Sequence, residues 1–181
     1  MCGKNRVLFI LLLTAFFLSI TACLQEPTSI QQDISPPDSA WKIIENLQFA
    51  YVTKNPDLFT NCLHEEFQFL LLPQDWDDYN GDGIIDSLWG RDIEIQLTEN
   101  MFNNPQAEII ELYFEGNSET VWYGDSTGVT LQLPRSFDLK IYYWPGEEQS
   151  GYRAAGEAVF LCKPDSTGEY KIWRWLDQSE V

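Results

Sequence analysis

Basic side chains are scarce in this sequence of 181 residues, which has 11 lysines and arginines against 28 aspartates and glutamates and a formal net charge of -17. Nucleic-acid-binding proteins neutralise phosphates with lysine and arginine, so this balance excludes nucleic acid as a partner. Histidine is almost absent too, since His64 is the only one. A zinc site built on histidine would need cysteine or carboxylate ligands that no local spacing provides.

Long hydrophobic runs are also missing. The N-terminal apolar segment from Val7 to Ile20 is shorter than the roughly 20 residues of a membrane-spanning helix. It follows Lys4 and Arg6 and leads into small residues before Cys23. A charged start, a short apolar core and a small-residue end are the layout of a signal peptide, which the sequence predicts over residues 1–22.

The segment Ile20-Thr21-Ala22-Cys23 resembles the lipobox of bacterial lipoproteins. The resemblance implies that Cys23 becomes the first residue of the mature chain and is acylated, so that lipid chains attach the protein to a bilayer. Because Leu24 rather than an aspartate follows the cysteine, it also implies the outer membrane of the cell envelope, on the periplasmic side. Residues 23–38 are rich in proline, glutamine and serine, which predicts a flexible lipidated linker.

Cysteine is rare, with four in the chain. Cys2 leaves with the signal peptide and Cys23 is acylated, so Cys62 and Cys162 remain. An exported compartment permits a disulfide between them, and two separate buried thiols are equally compatible with the sequence. Both states stay open.

Residues 39–181 are predicted to form one folded domain that begins with helices. Asp38 is a suitable cap for a helix running to about Lys54. Its apolar stripe is Trp41, Ile44, Leu47 and Tyr51. Asn55-Pro56-Asp57 is typical of the start of a second, short helix.

A strand, a loop and a third helix are predicted next. Alternating Phe67, Phe69 and Leu71 indicate the strand, and a polar loop from Pro73 to Ser87 follows. The third helix is predicted from i, i+4 spacing of Trp89, Ile93, Leu97 and Met101.

Beyond residue 104 the apolar period changes from helical to alternating, which indicates strands. Ile110, Leu112 and Phe114 share one predicted face. Two further strands flank the turn sequence from Pro164 to Gly168. Helices first and antiparallel strands last predict an α+β domain.

This order of elements resembles the nuclear-transport-factor-2-like superfamily, also called SnoaL-like or ketosteroid-isomerase-like. The segments that carry the resemblance are AWKIIENLQFAYVTKN, PDLFTNCLHEEFQFL and GEYKIWRWLDQ. It implies a cone-shaped fold in which three N-terminal helices pack on a curved, mainly antiparallel sheet. Members of the superfamily act as enzymes, binding modules or dimerisation domains, so a homodimer is a further expectation.

The loop before the third helix contains part of a calcium-binding pattern. Oxygen ligands are predicted from Asp78, Asn80, Asp82, the Ile84 carbonyl and Asp86. The twelfth position, which should be a bidentate acid, is Trp89. A Ca²⁺ site and a solvated turn without metal both remain open, because turns use the same residues.

Two titratable residues are candidates for chemistry inside a cone. Glu157 is predicted on an apolar strand face, where it could act as an acid or base or pair with Arg153. His64 could act as a base or lie as a cation at a helix end. Strand alternation places Trp173 and Trp175 on one face. The full candidate pocket is Tyr51, His64, Tyr113, Glu157, Trp173 and Trp175.

No set of the Asp, Tyr or His residues used by enzymes of this superfamily maps onto the chain. The sequence therefore favours a membrane-anchored periplasmic lipoprotein whose cone binds a small ligand or a protein partner without catalysis. The alternative is an isomerase- or cyclase-type enzyme that uses Glu157 or His64 as its acid or base.

Overall fold

The structure is a computed structural model that describes residues 37–79, 81–122, 124, 129–143 and 150–178. The predicted signal peptide, Cys23 and most of the predicted linker lie outside these residues. Among the described helices, none is both long and apolar enough to cross a membrane.

Three α-helices and seven strands lie in the described part of the chain. The helices are α1 (Ala40–Thr53), α2 (Pro56–Cys62) and α3 (Arg91–Phe102). The strands are β1 (Leu63–Leu70), β2 (Leu88–Gly90), β3 (Ala107–Glu115), β4 (Thr120–Val121), β5 (Leu131–Tyr143), β6 (Ser150–Pro164) and β7 (Tyr170–Gln178). This confirms the predicted α+β class.

Helix α1 buries one apolar stripe against the sheet. Ile44, Leu47 and Tyr51 lie on it, as predicted. Trp41 was also predicted there, but it is 50% exposed, because Ala40 takes the buried position at the start of the helix. An extended N-cap at Ser39 precedes the helix.

Helix α2 begins as its sequence predicts. The Asn55 side chain accepts a hydrogen bond from the backbone N–H of Leu58 at 3.0 Å. Pro56 occupies the first helical position, where a missing N–H costs nothing. Strand β1 follows directly after the helix, so it begins earlier than the alternation from Phe67 indicated.

The sheet runs in the order β2-β1-β7-β6-β5-β3, and β4 pairs with β5. All pairs are antiparallel except β1 with β7. Register shifts interrupt the β1–β7, β3–β5 and β6–β7 pairs, and such irregularities bend a sheet. The sheet therefore curves, and its concave face turns toward the helices.

The core fills the space between the helices and the concave face. Edge-to-face contacts join Tyr51 to Phe59 and to Phe102, with ring centroids 5.7 Å and 5.4 Å apart. Cys62 and Cys162 are both fully buried and both free. The state with two separate thiols is therefore the one observed.

Candidate functional site

A cavity of about 250 Å³ lies between helices α1 and α3 and the concave face of the sheet. Its apolar lining consists of Phe69, Trp89, Leu97, Met101, Leu112, Phe137, Leu139 and Trp175. Its polar lining consists of Tyr51, Glu94, Thr98 and Asp177. We call this the main cavity because its lining is largely apolar; two more polar depressions have larger volumes of about 400 and 350 Å³. It reaches the surface beside Leu97, which is 47% exposed.

Glu94 is the most unusual group in the main cavity. It lies on α3 and is only 5% exposed. The indole nitrogen of Trp89 donates a hydrogen bond to its Oε2 at 2.6 Å. Burial raises the pKa of Glu94 to about 7, against the opposite effect of hydrogen bonds from Trp89 and Thr98. At neutral pH the protonated and ionised forms are therefore both populated.

Tyr51 and Thr98 extend the polar group around Glu94. The Thr98 side chain interacts with both Glu94 and Tyr51 and lowers the pKa of each. Burial, and then the neighbouring Glu94 charge, raise the pKa of the Tyr51 phenol above its usual value. Tyr51 thus stays protonated at physiological pH, and a connected polar chain crosses an otherwise apolar wall.

Trp89 was predicted inside the third helix, but that prediction is wrong. Helix α3 begins at Arg91, and Trp89 lies in the short strand β2, where it pairs with Phe69 of β1. The two rings stack with centroids 4.7 Å apart and planes 13° apart. Because β2 pairs with β1, Trp89 lies in a strand despite its i, i+4 spacing to Ile93. In this position Trp89 lines the main cavity.

Glu94 is absent from the residues predicted from the sequence, because the predicted buried face of α3 is the wrong one. Ile93, Leu97 and Met101 were predicted as the apolar stripe. The buried residues are instead Glu94, Thr98 and Phe102. Glu94, Thr98 and Phe102 are also spaced four residues apart. The sequence therefore contains a helical stripe at the buried positions, but this stripe mixes polar with apolar residues.

The structure brings together only part of the predicted pocket. Tyr51 and Trp175 line the main cavity. Tyr113 is 52% exposed on β3, on the sheet face away from the helices. Glu157 is exposed on β6. The ion pair proposed for Glu157 is absent from the described residues, since Arg153 bonds Asp138 at 2.8 Å.

Trp173 and Trp175 lie on opposite faces of the sheet, contrary to the prediction. Arg174 pairs with Leu161, whereas Ile172 pairs with Cys162, so β7 carries one extra residue at Trp173. This bulge reverses the alternation. Trp173 therefore contacts the Arg174 guanidinium at 4.2 Å, while Trp175 faces the main cavity.

His64 lies in a different depression, together with Arg91, Asp165 and Lys171. Its Nδ1 accepts a hydrogen bond from the backbone N–H of Glu66 at 3.1 Å. Burial lowers the pKa of His64, so the imidazole is neutral at pH 7. His64 and Glu94 therefore do not form one site.

The predicted calcium ligands bond to the backbone of their own loop. The Asp78 carboxylate accepts hydrogen bonds from the N–H groups of Gly81 at 2.7 Å and Gly83 at 2.8 Å. Asp86 accepts one from the N–H of Tyr79 at 3.2 Å. Ile84 is 66% exposed, Asp82 accepts from its N–H, and Asn80 lies outside the described residues. Calcium binding stays a prediction.

Comparison with known proteins gives fold-level matches only. No family model and no curated protein match the chain. Among solved structures, a conserved protein from Planctomyces limnophilus has a TM-score of 0.58 at 12% identity, covering 77% of this chain and 92% of that one.

Two further solved structures carry the fold's name. A nuclear transport factor 2-like superfamily protein from Salmonella enterica has a TM-score of 0.53 at 10% identity, covering 77% of this chain and 87% of that one. A ketosteroid isomerase-like protein from Erwinia carotovora atroseptica has a TM-score of 0.51 at 10% identity, covering 77% and 92%. The domain described here therefore has the nuclear-transport-factor-2-like fold.

Proposed function

We propose that the domain binds a small, largely apolar molecule in the main cavity and that Glu94 exchanges a proton with it. The observation that carries this proposal is a buried carboxyl whose pKa is raised to about 7, placed in an apolar cavity that reaches the surface. An acid or base works best when its pKa is near the working pH. Perturbed acids in concave apolar sites are typical of functional sites.

The surrounding groups suit this role. In its ionised form Glu94 can remove a proton from a ligand and then return one at another position. Tyr51 stays protonated beside it and can donate a hydrogen bond to a ligand oxygen. Trp89 and Thr98 hold the carboxylate in place through their hydrogen bonds. Isomerase- and dehydratase-type reactions need a group that can remove a proton and return one, which is the role proposed for Glu94.

Binding without catalysis is the second candidate. Trp89 and Thr98 already occupy acceptor positions of Glu94, so the carboxyl could act only as a fixed polar contact for a ligand. Both candidates use the same cavity. They differ in whether a proton leaves the ligand.

Binding can be tested with 2-indanone, a neutral bicyclic ketone, by following indole NMR signals. Leu97→Trp should close the mouth of the main cavity and weaken binding at least about tenfold, a loss of about 1.4 kcal/mol. Val52→Trp is the matched control, because Val52 is 50% exposed and does not line the cavity. Binding that is absent, or equal in both variants, would overturn the proposal.

Proton exchange can be tested with the same ketone in deuterated water. The wild-type protein should speed exchange of the hydrogens next to the carbonyl, since Glu94 removes a proton and returns a deuteron. The Glu94→Gln variant should still bind the ketone but should no longer speed the exchange of these hydrogens. Binding with no exchange by the wild type would favour the noncatalytic candidate.

We also propose that acyl chains on Cys23 attach the domain to the outer membrane. The lipobox-like segment before Cys23 supports this. More than one chain is needed for a stable anchor. Fractionation should find the wild-type protein with membranes and Cys23→Ser in the soluble fraction. Equal distribution of the two would contradict the anchor.

A further inference from the structure

The charges around the main cavity are all of one sign. Glu94 and Asp177 line it, and its described lining contains no lysine, arginine or histidine. Building on the function proposed above, we infer that the ligand is a small organic cation, with an ammonium group carried on an apolar frame. Two carboxyl groups would complement such a charge and disfavour an anion.

The two carboxyl groups come from opposed elements. Glu94 projects from α3, and Asp177 lies on β7, where it pairs with Ala158. Asp177 is two positions after Trp175, which pairs with Phe160 of the core, so both face the concave side. A ligand between the helix and the sheet would therefore meet an acid on either side.

Aromatic rings make up much of the remaining wall. Phe69 has its ring centroid 4.7 Å from Trp89 and 5.4 Å from Trp175, so these three rings are continuous. Phe137 and Tyr51 also line the cavity. Cations are attracted to aromatic rings, and cages of such rings bind alkylated ammonium groups. The aromatic lining of the main cavity therefore suits both the apolar frame and the positive charge of the inferred ligand.

The whole chain adds a field of the same sign. With 28 acids against 11 lysines and arginines, the protein attracts cations and repels anions at low ionic strength.

Cation binding also favours the ionised form of Glu94. Among the titratable groups of the lining, Tyr51 from α1 lies beside Glu94 and stays protonated, and Asp177 from β7 lines the same cavity. Affinity for a cation should therefore rise with pH between 6 and 8.

Three probes of one shape test this inference: 2-phenylethylamine, 2-phenylethanol and phenylacetate, which are cationic, neutral and anionic at pH 7.5. The amine should bind about tenfold more tightly than the alcohol, and phenylacetate most weakly. Asp177→Asn should reduce amine affinity and leave alcohol affinity unchanged. Asp92→Asn is the matched control, an exposed acid on α3 outside the cavity.

The outcomes separate this inference from the function it rests on. If the alcohol or phenylacetate binds as tightly as the amine, and Leu97→Trp still blocks binding, the cation inference is overturned and the cavity remains a binding site. If none of the three probes binds but 2-indanone does, only the cation inference is overturned. If 2-indanone does not bind either, both proposals fall. Amine binding that is equal in Asp177→Asn and the wild type would also overturn the inference.

Discussion

Glu94 shows how packing sets the chemistry of one side chain. Its carboxyl lies among apolar residues of the main cavity, with Trp89 and Thr98 as its hydrogen-bond donors. Removing a carboxylate from water disfavours its charged form, and two donors only partly offset this cost. The pKa of about 7 is the result of that balance.

The raised pKa predicts how stability depends on pH. Glu94 titrates near 4.5 in an unfolded chain and near 7 in the folded protein, so the folded state binds more protons between these values. The free energy of unfolding of the wild type should therefore fall, relative to Glu94→Gln, by about 3 kcal/mol as pH rises from 4.5 to above 7. Urea unfolding at pH 5 and pH 8 measures this. Glu99→Gln, on the same helix but outside the cavity, is the control, and a gap that does not widen with pH would contradict the prediction.

The indole of Trp89 should hold the pKa of Glu94 down. Trp89→Phe keeps an aromatic ring against Phe69 but removes the N–H that bonds the carboxylate at 2.6 Å. Loss of a hydrogen bond to a charged group should raise the pKa of Glu94 by roughly one to two units. The pH midpoint of the Glu94 carboxyl NMR signal reports this. Trp173→Phe, on the other face of the sheet, should leave the midpoint in place, and equal midpoints in both variants would refute the role of Trp89.

Among the elements, α1, α2 and the long strands could be predicted because their signals are local. The Asn55-Pro56 start and the alternation of Ile110, Leu112 and Phe114 each fix an element without help from the rest of the chain. The buried face of α3 could not be predicted from apolar residues alone, because two of its three buried residues are polar and pairing of Trp89 with Phe69 sets where that helix begins. A bulge at Trp173 likewise depends on its partner strand.

The cap at Asn55 gives a test of the local account of α2. Asn55→Ala removes the acceptor of the Leu58 N–H and should lower the free energy of unfolding by about 1 kcal/mol. Asn55→Asp keeps an acceptor oxygen and should retain most of the stability. Urea unfolding of the three proteins measures the difference. Equal loss in both variants would show that the side-chain oxygen does not act as the cap.

At the level of the whole domain, the cone-like arrangement was predictable from element order, whereas the main cavity was not. Element order depends on periodicity, which the sequence displays directly. The cavity depends on which side chains from α1, α3, β1 and β7 meet across the core. Only Tyr51 and Trp175 of the predicted pocket residues do so. The proposed acid–base group is therefore Glu94 rather than Glu157 or His64.

The most direct test of a functional main cavity is the titration of Glu94 itself. Carbon NMR of the intact domain labelled at glutamate carboxyl groups, with Glu94→Gln to assign the signal, should show a midpoint near pH 7. The midpoint should move when 2-phenylethylamine is added. A midpoint near 4.5, unchanged by any of the three probes, would contradict both the buried carboxyl and the site built around it.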